Sequence, residues 1–388
     1  MSDNQALNDT VRWFQEVQRW EEEALAADLG KSTPAFQGLL KPDASSGWQP
    51  TRQQPFMRGK SSGGAVAPSA SSVPYSTQLK EAMKSQRVRP SNRTASSSSP
   101  PVKGVEVSSF DTTIAFTLAD GVDRSHQEGK LESGFSLRRR VMWAKAFKVL
   151  VEAGLGANDA FRLGFALCAS ERATPEERKF YEELWRVRMN ASLYPLPTVP
   201  TPSDGQFWHP TAGLAGVLIE AGMPLWMHGD AGNGKTVIAE MVAASLSRPF
   251  IRFQGTRERT VDDMVGGWTY LPEKGTVFNY GVVPEGMRQG AVLALDEGSA
   301  LPSEVTFEFH AALEGKPLVL LKHGGEKIFP APGFAPVVCD NTVGLGERSE
   351  YVGTNPTNAA FRDRWLYLQV GAIPAEMQRR IVEAVLKP

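Results

Sequence analysis

Apolar positions recur at two different periods along this chain, separated by a long stretch that has almost none. Within residues 8–29, Val11, Phe14, Val17 and Leu25 lie near helical spacing and Glu21, Glu22 and Glu23 form an acidic side, which predicts one amphipathic helix. An isolated helix of that length is marginal in water, so it needs a partner surface; the alternative is a transient helix in a tail. From about Pro42 to Lys103 the chain turns to Ser, Pro, Gly, Gln and basic residues. Such sequence cannot bury enough apolar area to offset chain entropy, and disorder is predicted. Val105 to Leu118 carries short β-prone pieces that read as a docking strand. Helical spacing returns after Ser133, at Trp143, Phe147, Leu150 and Val151, and again at Phe161, Phe165, Cys168 and Ala169. A third helix opens at Thr174-Pro175-Glu176-Glu177, a capping-box pattern with proline at the first helical position, and places Phe180, Leu184 and Val187 on one face.

After the proline-rich extended linker Tyr194–Pro202 the pattern changes again. Apolar runs at Leu225–Met227, Phe250–Phe253, Ala291–Leu295, Pro336–Cys339 and Trp365–Val370 alternate with helical segments, which predicts an α/β fold around a parallel five-stranded sheet. The expected organisation is a terminal helix (1–41), a basic Ser/Pro-rich linker (42–132), a small helical domain (133–192), a stiff linker (193–204) and the α/β core (205–388). No internal repeat is visible.

Composition narrows this picture only in places. The chain has 388 residues, 41% of them hydrophobic, and a formal net charge of -1. That length suits about two domains plus unstructured sequence. The balanced total hides a basic segment, where Arg52, Arg58, Lys60, Lys80, Lys84, Arg87, Arg89, Arg93 and Lys103 face little acid beyond Glu81. Weak nucleic-acid attraction is one reading of it; a soluble linker is favoured, because the charges are dispersed and few aromatics interleave. Two cysteines, Cys168 and Cys339, support neither a disulfide framework nor a metal cage, and a reducing cytoplasmic compartment is the expectation. Cys168, on an apolar face, reads as core. The N-terminus leads into no apolar run typical of a signal peptide, and the apolar stretch from Ala212 to Trp226 is broken by Glu220, Gly222 and Pro224, so no membrane span is expected.

The candidate chemistry is concentrated in Gly229-Asp230-Ala231-Gly232-Asn233-Gly234-Lys235-Thr236, which fits G-x-x-x-x-G-K-[ST] between an apolar strand and a helix opening at Val237. Glycines let the backbone turn its N–H groups toward an anion, and the helix start adds its positive dipole end. Lys235 is placed to bridge the β- and γ-phosphates of ATP, and the Thr236 hydroxyl to hold Mg²⁺. Ala291–Leu295 then runs into Asp296-Glu297. A buried parallel strand delivers such carboxylates to the same crevice, Asp296 toward Mg²⁺ and Glu297 as the base for an attacking water.

Downstream stand Asn341-Thr342-Val343-Gly344-Leu345-Gly346, Tyr351, Gly353-Thr354, Asn358 and Asp363-Arg364-Trp365. With these residues the core from about Pro202 onward resembles the MoxR-type AAA+ ATPases, nearest to the small ATPase subunit of aerobic cobaltochelatase; the resemblance does not reach residues 1–200. It implies that Asn341 is the sensor that helps position water and that Arg364, with Arg362 as competitor, reaches into a neighbouring subunit's site. It also implies two hairpin insertions, at Thr276–Gly281 and at Leu318–Leu321 with Lys327–Phe329, with Lys322, His323 and Lys327 as candidate contacts; by itself His323 in a glycine-rich turn reads as solvated. Two departures stand out: Asp340 where a small residue is usual, and only one helix after the last strand, so the lid is short or absent and Arg379 and Arg380 are substitutes for its usual arginine. The resulting expectation is a hexameric Mg²⁺-dependent ATP hydrolase remodelling a protein client, with a von Willebrand-type domain protein as first candidate. The rival readings are a nucleotide-gated scaffold that hydrolyses poorly and a DNA-associated motor using the basic arm.

Overall fold

The computed structural model of this protein describes Thr77 and residues 105–386, apart from 106, 203–205 and 347–355. The expected terminal helix at 8–29, nearly all of the 42–103 linker, and Tyr351, Gly353 and Thr354 lie outside the described residues.

The chain from Asp111 to Asn190 folds into four helices: α1 (Thr112–Gln127), α2 (Leu137–Glu152), α3 (Ala157–Cys168) and α4 (Pro175–Met189). The first corrects the expectation of a linker running to 132 and of a docking strand near Thr113. Asp111 caps α1 by accepting the Ile114 N–H at 2.9 Å. Ala115, Leu118, Ala119 and Val122 then bury one face at i, i+3, i+4 and i+7. That burial outweighs the strand preference of the β-branched run at its start. On α4 the capping box at Thr174 and Glu177 forms as expected. Its buried face is Tyr181, Trp185 and Met189; Phe180 and Leu184 are only partly buried and Val187 is exposed. The reason is the aromatic cluster of Trp143, Phe161 and Phe165, against which Tyr181 and Trp185 pack.

Beyond Trp208 the core runs α5 (Ala212–Glu220), β1 (Leu225–His228), α6 (Lys235–Ser245), β2 (Phe250–Gln254), α7 (Val261–Val265), a hairpin β3 (Gly266–Leu271) and β4 (Gly275–Tyr280), α8 (Val282–Gln289) and β5 (Val292–Asp296). There follow α9 (Ser303–Glu308), α10 (His310–Leu313), a second hairpin β6 (Leu318–Leu320) and β7 (Glu326–Ile328), β8 (Ala335–Asp340), α11 (Ala359–Arg362), β9 (Leu366–Gln369) and α12 (Ala375–Leu386). The sheet is parallel and five-stranded in the order β2-β5-β8-β1-β9. Successive residues enter opposite faces: Leu225 and Met227 join one apolar cluster, Trp226 the other. The first of these clusters is continuous with the interior of α1–α4. The helices are therefore a layer on the core, not a separate domain, because Trp143, Phe165 and Leu225 belong to one dry interior.

Both expected hairpins form, and they clasp each other. Trp268 Nε1 donates to the Lys322 carbonyl at 2.8 Å, and the His323 ring stacks on Phe278 with centroids 4.4 Å apart. Tyr280 donates to Glu326 at 2.8 Å, and the Arg288 guanidinium lies 3.9 Å over the Tyr280 ring. His323 is thus partly buried in an aromatic box, not merely solvated, since the two hairpins meet at its ring. Lys322 pairs with Asp262 at 2.6 Å. Among the described residues one helix, α12, follows β9; Arg380 lies over the Phe207 ring and Arg379 pairs with Glu376.

Candidate functional site

The strand register sets Gln254 opposite Asp296, Asp296 opposite Cys339, and His228 opposite Asp340 and Gln369. All the chemistry-bearing loops therefore leave one edge of the sheet, the edge where ligands of parallel sheets sit. Gly229 is the first residue past β1, with φ 146, and a Cβ there would stand 2.2 Å from the Val370 carbonyl. Only glycine passes β9 that closely. Asn233 Nδ2 donates to the same carbonyl at 3.1 Å, pinning the loop. Gly232 and Gly234 take φ 83 and 81 with open space around them, so conformation and not crowding demands glycine there. Asp230 and Ala231 are exposed at the loop's tip. The result is a concave run of backbone at the start of the eleven-residue helix α6, a shape that accepts phosphate.

Lys235 is buried at the first turn of α6. Its ammonium donates to the Gly229 and Asp230 carbonyls at 2.8 and 2.9 Å and to Asn341 Oδ1 at 2.9 Å. Burial pushes its pKa below the ordinary value, opposed by Cys339, Asp340, Asp296 and Asp230. Thr236 Oγ1 donates to Asp296 Oδ1 at 3.2 Å, and Arg252 pairs with the other carboxylate oxygen. A hydroxyl and a carboxylate at that spacing are hard oxygen donors suited to Mg²⁺. No group of three His, Cys, Asp or Glu that could hold a metal occurs among the described residues, so Mg²⁺ would need phosphate oxygens and water to complete its shell. Val237 is exposed on the same turn.

Glu297 takes φ 57, a left-handed conformation uncommon outside glycine, just where β5 ends. Its amide donates to the Cys339 carbonyl at 2.8 Å, and its Oε2 accepts from Gln254 Nε2 at 2.9 Å. Asp340 is buried and accepts from the Ser299 amide at 2.7 Å through one oxygen, and from the Thr342 amide and hydroxyl at 2.9 and 3.0 Å through the other. It ties the Asn341 turn to the turn after Glu297, a role that composition alone did not reveal. Burial pushes the Cys339 thiol up to about 12, so it is an inert core thiol. Cys168 is likewise buried in the core.

Lys235, Thr236, Asp296 and Asn341 therefore meet, with Glu297 adjacent. Arg364 makes its contacts elsewhere: its guanidinium pairs with Glu314 at 2.6 Å and donates to the Ala360 carbonyl. Arg362 is buried and donates to Glu132 at 2.9 Å. Burial works against ionisation of Glu314, but Lys316 and Arg364 hold its carboxyl below the usual range. Gln254, Arg252, Asp340 and Glu314 were not among the residues expected at the site. The only sequence signal for the first is its place at the tip of β2, beside the strand that ends in Asp296.

His310 sits beside this arginine, its ring stacked 6.0 Å from Phe361 and its Nε2 buried without a hydrogen-bond partner. Burial, aided by the Arg364 charge, lowers its pKa to about 4. The unfolded chain then binds more protons than the folded one between about pH 6.5 and 4, so stability falls as pH drops through that window. Chemical denaturation should therefore show lower stability at pH 5 than at pH 7, with roughly 1 kcal/mol or less of the difference from this partly solvated group. The difference should shrink in His310→Gln; an unchanged difference assigns it to other groups.

Residues 224–365 match the family model described as AAA domain (dynein-related subfamily). Fold, phosphate-binding loop and strand-end carboxylates define the core as an AAA+ domain. More narrowly, the core is similar to proteins that include a cobaltochelatase subunit, with the similarity confined to that core. The chain is 31% identical over 161 residues to aerobic cobaltochelatase subunit CobS of Sinorhizobium sp, covering 40% of this chain and 48% of that protein. It is 28% identical over 171 residues to midasin of Dictyostelium discoideum, covering 44% of this chain and 3% of that protein. It is 30% identical over 142 residues to protein NorQ of Paracoccus denitrificans, covering 36% of this chain and 52% of that protein. The match thus spans at most about half the length of these relatives. No helix among the described residues is long and apolar enough to cross a membrane.

Proposed function

We propose that this protein hydrolyses ATP with Mg²⁺, working in the cytoplasm as a ring oligomer, of six subunits by family precedent, that remodels a protein client. The observation that carries the reading is the meeting of Lys235, Asn341, Thr236 and Asp296 around one loop of backbone amides. Lys235 and the amides of residues 229–236 bind the phosphates. Mg²⁺, held by Thr236 and Asp296, neutralises phosphate charge when bound. Glu297 accepts the proton of the attacking water, Asn341 helps orient that water, and Arg364 of an adjacent subunit steadies the charge that develops on the transferred phosphoryl group. The exposed Tyr270 and Leu321 on the clasped hairpins offer apolar contact to a polypeptide client, and a von Willebrand-type domain protein is the first to test.

Isothermal titration tests the binding half of this reading. Lys235→Ala should weaken ATP binding by roughly ten- to a hundredfold, the scale of a charged hydrogen bond removed. Unchanged affinity would remove the phosphate-binding role. Measurable binding with negligible turnover in the wild type would instead favour a nucleotide-gated scaffold.

A further inference from the structure

Three consecutive residues, Arg362, Asp363 and Arg364, are each tied to the helical layer, directly or through one intermediate. Asp363 receives the most. Ser136, the cap of α2, donates to its Oδ2, and Arg139 pairs with its Oδ1. Arg172 NH1 lies 3.6 Å from the same Oδ1, and Arg138 NH1 lies 3.8 Å from Oδ2. Arg362 donates to Glu132, on the turn between α1 and α2. Glu314, which holds Arg364, also accepts from Arg138 at 3.2 Å.

Arg139 is the stiffest of these links. Its side chain is 4% exposed, and its remaining nitrogens donate to the Gly134 carbonyl at 2.8 Å and the Ser133 hydroxyl at 3.2 Å. A planar guanidinium with every edge occupied is a strut, not a flexible tether. One end of that strut is the loop leading into α2, and the other is the residue immediately before Arg364. Arg364 therefore takes its starting point from the helical layer, although the sheet supplies its strand.

We propose that the helical layer presents Arg364 to the neighbouring subunit, with Arg139 as the positioning residue acting through Asp363. The inference rests on the reading that Arg364 acts in trans. It gives α1–α4 a part in turnover, beyond any recruitment of a client. Loss of the strut releases residues 362–364 from the layer, and Arg364 then samples orientations in which it does not meet a neighbour's phosphates. The affected site is the neighbour's. The variant subunit's own loop, Asp296 and Glu297 stay intact.

The test uses full-length protein and compares Arg139→Gln, Arg139→Lys and Arg364→Ala for ATP affinity, turnover and rescue on mixing. Arg139→Gln should bind ATP as the wild type does while turnover falls roughly 10²-fold, the scale of a group misplaced by about an ångström. Arg139→Lys, which keeps the charge on Asp363, should recover part of the loss. Mixing Arg139→Gln with Glu297→Gln, with subunit exchange verified by mass, should restore activity, because one partner supplies the base and the other a well-placed arginine. Wild-type turnover in Arg139→Gln, alongside loss in Arg364→Ala, would overturn the inference and leave the trans reading standing. A loss that mixing does not restore would also overturn it, placing the defect in the variant's own site. Wild-type turnover in Arg364→Ala would overturn the trans reading itself. If Arg139→Gln fails to fold, Asp363→Asn, which removes the charge at the less buried end of the same pair while keeping its shape, carries the same three outcomes.

Discussion

Arg364→Ala should bind ATP normally and hydrolyse it ~10³–10⁵-fold more slowly than the wild type, the range for removal of an arginine that stabilises phosphoryl-transfer charge in trans. Within its own subunit the guanidinium is spoken for. It is 11% exposed, paired with Glu314 and bonded to the Ala360 carbonyl, and takes no part in the Lys235 cluster. To serve a neighbour it must exchange Glu314 for phosphate oxygens, so Glu314 competes for it. Mixed assemblies separate this from a folding defect. Arg364→Ala retains Lys235 and Glu297, Glu297→Gln retains the arginine, and together they should regain part of the activity that neither has alone. If subunits exchange and no activity returns, Arg364 acts within its own subunit, and Arg362 is the poorer replacement because Glu132 already holds it in a buried setting.

Glu297→Gln should keep Mg²⁺–ATP bound and lose turnover by ~10²–10⁴, the usual worth of a positioned general base. The change is nearly isosteric, and the backbone turn at φ 57 is as accessible to glutamine as to glutamate. Gln254 can still donate to the remaining carbonyl oxygen, so the side chain stays where it is. What disappears is the capacity to take a proton from water. Single-turnover measurement with radiolabelled ATP separates this from slow product release. Near wild-type chemistry would move the base to another group. Under the proposed remodelling role, the stalled variant is also the material with which to capture a client.

Local chemistry was legible in the sequence. The loop glycines, Lys235 and Thr236 lie within eight positions, and the positive φ of Gly229, Gly232 and Gly234 and the helix start at Lys235 follow from residue type. The five apolar runs announced a parallel sheet, and Asp296-Glu297 at the end of one announced its active edge. The two hairpins were placed only through the family resemblance, and both form.

What the sequence did not show depends on groups far apart in the chain. The segment Thr112–Gln127 scores as strand at its start and became α1, because Leu118 and Val122 found a dry surface among the other helices. Asp340 looked like a local anomaly, yet it bonds Ser299, and Glu297 bonds Gln254; register between strands decides both pairs. Arg364 and Glu314, or Asp363 and Arg139, carry no mark of one another in composition or spacing. A motif is written by neighbours along the chain, whose geometry the backbone dictates. An ion pair between a helical layer and a sheet exists only once apolar burial has brought the two surfaces together, and only the tertiary structure decides that.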